Sequence, residues 1–211
     1  MELHELRPGL WHWTTHHPEW KQDVRSVAYE GPDDLVLMDP LLTADDALDS
    51  LVARARKPVS VLVTIFWHTR SADVVAARHG AHVLAPSGGK AAVKRRAPTA
   101  TAFRPGAPLP GGVEAVATAR SSEVVYWIPA HRAVVPGDVL VGADGGGVRL
   151  CPRSWLPEST TLEQLRTSLL PLLELPVTRV LVSHGEPVVR NGRAALEQAL
   201  ARYRHSAPSA A

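Results

Sequence analysis

The chain's 211 residues include ten histidines, six tryptophans and one cysteine, and its chemistry depends on which of these can meet. Cys151 has no base beside it in the sequence, and a thiol without one is inert, so it reads as a small core hydrophobe. No Gly-x-Ser-x-Gly turn is present to raise a serine nucleophile. His16 and His17 are adjacent in THHPEW, and His68 stands in TIFWHTR with Asp73 five residues on. Imidazoles and carboxylates are the groups that hold transition metals or move protons at neutral pH. His4, His79, His82, His131 and His205 read as surface or structural residues. The basic run Lys90, Lys94, Arg95 and Arg96 lacks the spacing of a phosphate loop and reads as a solvated helix face. The glycines between Gly142 and Gly147 are not followed by a helix, so they read as a turn between strands.

Such groups need a scaffold. The chain is 45% hydrophobic with a formal net charge of +2, enough for a core and too balanced for a dedicated nucleic-acid binder. No run approaches the ~20 apolar residues of a membrane span. The opening MELHELRPGLW has no signal-peptide pattern. With the single cysteine, this sets the expectation of a cytoplasmic protein without disulfides or membrane partners.

Strands are expected at Leu10 to Trp13 and Val24 to Glu30, around a His- and Trp-rich loop from Thr14 to Trp20. Further strands follow at Leu35 to Met38, Val59 to Thr64, His82 to Ala85, Val113 to Ala117, Glu123 to Ile128, Ala133 to Val135 and Arg179 to Val182. Helical spacing marks Ala44 to Ala55, capped by Thr43, then Ser71 to His79, Thr161 to Leu173 with a break at Pro171, and Ala194 to Tyr203. The order implies an α/β protein, two mixed sheets packed together with outer helices, in one domain over residues 1–205 with a flexible tail at 206–211.

Local signatures in linear order sharpen the fold. RPGLW before LVLMDP, the strand VLVT, then VVPGDVL and LVSHGEPV resemble the metallo-β-lactamase-fold hydrolases, the group that includes hydroxyacylglutathione hydrolases. HHPEW and WHTRSAD resemble actinobacterial members of that superfamily. The resemblance implies an α/β/β/α sandwich, a structural aspartate at Asp39, a metal-bridging aspartate at Asp138 and a last histidine ligand at His184. It also implies a Thr-His-x-His-x-Asp-His motif after VLVT. Here its ligand positions hold Ile65, Trp67, Thr69 and Arg70, and the family's middle histidine falls near Arg120. Of the implied ligands only Asp138 and His184 remain.

A two-metal hydrolytic site cannot be assembled from those two. Two ways of filling the gap follow. In the first, Arg70 and Arg120 direct guanidinium forks at Asp138 or at an anionic ligand, standing in for the lost cations. In the second, His68, one residue from a ligand position, turns inward and joins Asp138 and His184, with His16, His17 or Asp73 as a fourth group. The first leaves a protein without di-zinc hydrolysis and without a cofactor, binding a small ligand or partner in the old cleft. The second makes a hydrolase of small esters or thioesters with a single zinc, iron or manganese ion. Trp11, Trp13, Trp20 and Trp67 are placed in or beside that cleft, as pocket walls or core.

Overall fold

The computed structural model describes residues 2–43 and 47–201. The first four strands follow the expected meander, β1 (His4–Arg7), β2 (Leu10–His17), β3 (Gln22–Glu30) and β4 (Leu35–Met38), paired antiparallel. The helix α1 (Ala47–Ala55) leads to β5 (Val59–Leu62), α2 (Ala72–His79) to β6 (His82–Pro86), and α3 (Lys90–Arg96) to β7 (Thr101–Phe103). Helical crossovers bring each new strand back parallel to the last, so β4 to β7 complete a seven-stranded mixed sheet in sequence order.

The second half builds β8 (Glu114–Ala117), β9 (Val124–Ile128), β10 (Ala133–Pro136), the hairpin β11 (Leu140–Gly142) and β12 (Val148–Leu150), then α4 (Leu162–Leu169), β13 (Arg179–Val180) and α5 (Gly192–Ala201). Its four-stranded sheet has the order β13-β10-β9-β8, with β13 parallel to β10.

Side chains alternate across each strand, and this sorts the apolar residues into three layers. Val36, Met38 and Leu62 of one sheet meet Val124, Tyr126 and Ile128 of the other between the sheets. Leu35, Leu37, Val59 and Val61 face outward onto Leu48, Leu51 and Val75 of α1 and α2. Val125, Trp127 and Val134 face the opposite way onto Leu165, Leu169 and Leu196 of α4 and α5. The α/β/β/α arrangement expected from the sequence is therefore present, and the continuous apolar strands are those covered on both faces.

Several elements differ in detail. The segment from Thr14 to His17 is strand: His17 pairs with Gln22, and only the turn before Gln22 leaves the sheet. Both flanking strands carry cross-strand pairs to their ends, so the hairpin outlasts its apolar stripe. The turn closes with Lys21 in the left-handed region. α4 stops at Leu169 and continues as a 3-10 turn over Leu170–Glu174 with Pro171 in its first turn, the break expected at that proline. α3 forms on the basic run and exposes its lysines and arginines. The Gly142 to Gly147 segment joins β11 to β12. The expected cap at Thr43 and the start at Ala44 adjoin residues outside the described ones, as do Tyr203, His205 and the tail.

Candidate metal centre

Four strand ends supply the site. Asp39 follows β4, Thr64 and His68 follow β5, Asp138 follows β10 and His184 follows β13. Because β4 and β5 run parallel, as do β10 and β13, their carboxyl ends open onto one edge of the sandwich, where α/β sheets place ligand sites.

The register of His68 is set by a 3-10 turn over Phe66–Thr69 directly after β5, with the His68 N–H donating to the Ile65 carbonyl at 2.8 Å. That tight turn rotates His68 inward, where it is fully buried. Its Nδ1 lies 2.8 Å from Asp39 Oδ2. Thr64 holds that carboxylate through its backbone N–H, 2.8 Å from Oδ1, and through its hydroxyl on Oδ2. Since the carboxylate only accepts, Nδ1 carries the proton, and Nε2 faces the cleft.

In the cleft, His68 Nε2 is 3.1 Å and His184 Nε2 3.2 Å from the same oxygen, Asp138 Oδ1. One ligand atom from each of the three lies within 4.8 Å of the others. His68 Nε2 and Asp138 Oδ1 are buried, and among the described residues they meet only one another and His184. Around a transition ion with ~2.0 Å bonds, ligand atoms of a tetrahedron stand about 3.3 Å apart. Two imidazole nitrogens at about that spacing from one carboxylate oxygen fit a single ion.

The second oxygen of Asp138 is already engaged, because the indole N–H of Trp67 donates to Oδ2 at 2.6 Å. Burial pushes the Asp138 carboxyl up, but the His68 and His184 rings outweigh it and hold it well below the ordinary carboxylate value. Burial and Arg70 pull His68 down, and Asp138 and Asp39 more than reverse this, so its net shift is upward.

The expected arginine forks are not directed at Asp138. Arg70 is in the left-handed region at φ 39° and donates from Nη1 to the Arg25 and Asp39 carbonyls, both at 2.9 Å, and from Nη2 to Ser183 Oγ at 2.6 Å. Its charge reaches Asp39 and Asp138 only through space. Arg120 is likewise buried, pairing with Glu123 Oε2 at 2.8 Å and the Trp155 carbonyl at 2.6 Å. Each guanidinium is captured by backbone carbonyls or a nearer acid.

Glu123 is the positioning residue that sequence reasoning missed. Its Oε1 accepts the backbone N–H groups of Asp138 and Val139, fixing the turn that presents Asp138. Burial drives its carboxyl up to about 7, against the pull of Arg120. The space it fills exists because residue 137 is glycine: a Cβ there would meet Glu123 Oε1 at 2.5 Å and Thr64 Oγ1 at 2.8 Å.

The remaining candidates divide by strand parity. His17 is inward on β2, and its ring stacks on Trp20 at 3.9 Å between centroids. His16 is outward and pairs with Asp23 at 2.9 Å, away from the ligand cluster. Asp73 is exposed in the first turn of α2 and is not one of the clustered ligands. Trp11 and Trp13 are core residues of the outer layer. Trp20 and Trp67 do line the cleft, joined by Trp155, which no spacing linked to them; with Asp138 and His184 they bound a cavity of about 360 Å³. Cys151 is buried, and burial raises its thiol to about 11, in keeping with the core role expected of it.

Residues 2–203 match the family model of the metallo-beta-lactamase superfamily. Among solved structures, a beta-lactamase domain protein from Burkholderia ambifaria is similar with a TM-score of 0.70 and 18% identity, over 96% of this chain and 75% of that one. A metallo-beta-lactamase family protein from Thermus thermophilus gives 0.66 and 17%, over 95% and 81%. A metallo beta lactamase from Hirschia baltica gives 0.66 and 16%, over 95% and 96%. No curated protein matches the sequence. At such identities the structural likeness speaks to the fold alone, whereas the family model spans nearly the whole sequence: the chain belongs to the metallo-β-lactamase superfamily.

Proposed function

We propose that the cleft holds one divalent transition-metal ion on His68, Asp138 and His184, and that the protein hydrolyses a small ester or thioester there. The observation that supports this most directly is the convergence of two buried imidazole nitrogens on one oxygen, Oδ1 of Asp138. Trp67 supports a single ion over two. Its indole N–H takes up Oδ2, the oxygen a bridging carboxylate would give to a second cation, and Ile65, Trp67, Thr69, Arg70 and Arg120 supply no metal ligand for one.

A bound ion would supply a Lewis acid and a water ionised near neutral pH. The chain's own groups set the conditions for that chemistry. Asp39 fixes His68 in the tautomer that turns Nε2 inward, the outer carboxylate that metal-bound histidines commonly require. Glu123 fixes the Asp138 turn. Arg70 places an immobile positive charge behind the ligands, its hydrogen bonds spent on backbone and Ser183. Trp20, Trp67 and Trp155 offer apolar walls to the non-reacting part of a substrate, in a cavity at the small-molecule end of the usual range.

The sequence resemblance to hydroxyacylglutathione hydrolases favours thioesters as the first substrates to try. A second reading, in which the cleft binds a ligand without hydrolysis, draws on the His68 to Asp138 pair, which can compensate its own charge with no ion present. Elemental analysis of purified protein separates the two. One zinc, iron or manganese per chain, lost in His68→Ala and accompanied by cleavage of p-nitrophenyl acetate or an acetyl thioester, is the expected result. Metal-free protein that stays inactive when zinc or manganese is added would leave the ligand-binding reading, and two tightly held ions per chain would overturn the single-ion site.

A further inference from the structure

β10 and β13 begin at the edge of the sandwich opposite the candidate metal ligands, and arginines gather at that far end. Arg132 precedes β10, and Arg179 opens β13 beside it. Arg7, at the end of β1, completes a cavity of about 450 Å³ whose lining also includes His131 and Thr178 and has no carboxylate. At ~3.3 Å per extended residue, Arg132 and Asp138 lie about 20 Å apart along the chain, so this cavity is separate from the cleft.

Three features mark it as more than a solvated surface. None of the three guanidiniums has an acidic partner among the described residues. Glu30, whose carbonyl lies beside Gly9 after β1, is engaged by Lys57 at 3.2 Å. Arg179 is only 9% exposed, and among the described residues its one side-chain hydrogen bond runs from Nη1 to the His131 carbonyl at 2.7 Å, which leaves most of its fork uncommitted. The backbone is also fixed around it. Arg132 is left-handed at φ 48°, and its carbonyl accepts from the N–H groups of Thr178 and Arg179 at 2.8 and 3.1 Å. A left-handed conformation on a residue other than glycine costs energy that surrounding structure must hold.

The charges bear on each other. Burial and then Arg7 push Arg179 down, and burial, Arg179 and Arg7 in that order push His131 down. Like charges collected around a concave surface without a counter-charge raise the free energy of the empty cavity, and an anion entering it relieves them all at once. Guanidinium forks match the paired oxygens of phosphate, and a threonine hydroxyl adds a neutral donor.

We propose that the cavity between Arg7, Arg132 and Arg179 is a binding site for a small, multiply charged oxyanion, a phosphate or phosphate monoester. The site is independent of the metal centre. Inorganic phosphate is the probe, titrated calorimetrically into the full-length protein at low ionic strength, against sodium chloride at matched ionic strength. Saturable one-to-one binding is expected, weakened about tenfold by Arg132→Met and further by the Arg7→Met/Arg132→Met pair, as loss of charge-assisted hydrogen bonds requires. Both side chains are exposed, so these variants keep the fold, and circular dichroism confirms it. His184→Ala should bind phosphate as the parent does. The proposal fails if phosphate does not saturate below about 10 mM, if the double variant binds as the parent does, or if binding is lost in His184→Ala and kept in the double variant, which would place the anion in the metal cleft.

Discussion

Arg120 and Glu123 form an ion pair with both side chains sealed from solvent, three residues apart on the approach to β9. A buried pair returns little net stability, but removing one member leaves an uncompensated charge. Arg120→Met should therefore destabilise the protein by roughly 3–5 kcal/mol, measured by urea denaturation. It should also raise the Glu123 carboxyl above its present value of about 7, so that the loss is largest in alkaline buffer, where Glu123 must ionise alone. A loss under about 0.5 kcal/mol, the range of an ordinary surface change, would show that the pair is not structural. Residue by residue, the site was legible where a side chain's role depends on strand position. Asp138 and His184 follow buried strands and lie where the resemblance put them. His68 was half legible, since the 3-10 turn that swings it inward has no marker in TIFWHTR. Glu123 and Trp155 were not legible, because their importance comes from contacts 15 and 29 residues away. The arginines misled because a guanidinium bonds whatever acceptor is nearest, and here those were carbonyls, the Ser183 hydroxyl and Glu123.

At the scale of elements, the turn after β10 and the strand end after β5 are locked to each other at Gly137. Its missing side chain lets Glu123 and Thr64 reach the backbone there, and those two residues hold Asp138 and Asp39 respectively. Gly137→Ala puts a methyl into contact with both. It should weaken zinc binding by about 10- to 100-fold, as loss of outer positioning groups does, while destabilising the fold by roughly 1–3 kcal/mol; competition with a chromogenic chelator reads the first effect. Unchanged affinity would mean the two loops position their ligands independently. A matching close approach sits across the cleft, where Gly142 donates to the His184 carbonyl at 2.8 Å and Gly185 packs on Gly142. Elements of this kind were well predicted as periodic segments and poorly at their ends, as with β2, whose last residues are held by pairing to β3.

For the whole molecule, the candidate ligands come from both sheets: His68 from one, Asp138 and His184 from the other. An ion joining them bridges the two halves and binds only the folded chain, so zinc at about 100 times its Kd should add near 2.7 kcal/mol of stability. The increment depends on pH. The His68 pKa is raised in the folded protein, so its contribution to metal-free stability is complete below the unfolded value and is lost as pH rises through the folded one. Metal must displace that proton. Melting temperature without metal should thus fall as pH rises above 6.5, the ordinary histidine value, and the rise on adding zinc should grow over the same range. Differential scanning fluorimetry at several pH values tests this, and a pH-independent zinc increment would remove His68 from the ligand set.

The bond from Trp67 to Asp138 carries one more consequence. An indole ring with its N–H on a carboxylate, a guanidinium over its face at 5.3 Å and Phe66 at its edge sits in a strong, directional electric field. Neutralising Asp138 changes that field, and the colour of indole emission follows the field across the ring. Trp11, Trp13 and Trp127, buried in the two outer cores, give a constant background, and Trp20 and Trp155 line the same cleft and respond with it. The protein thus carries an optical gauge of its own site, readable without a substrate.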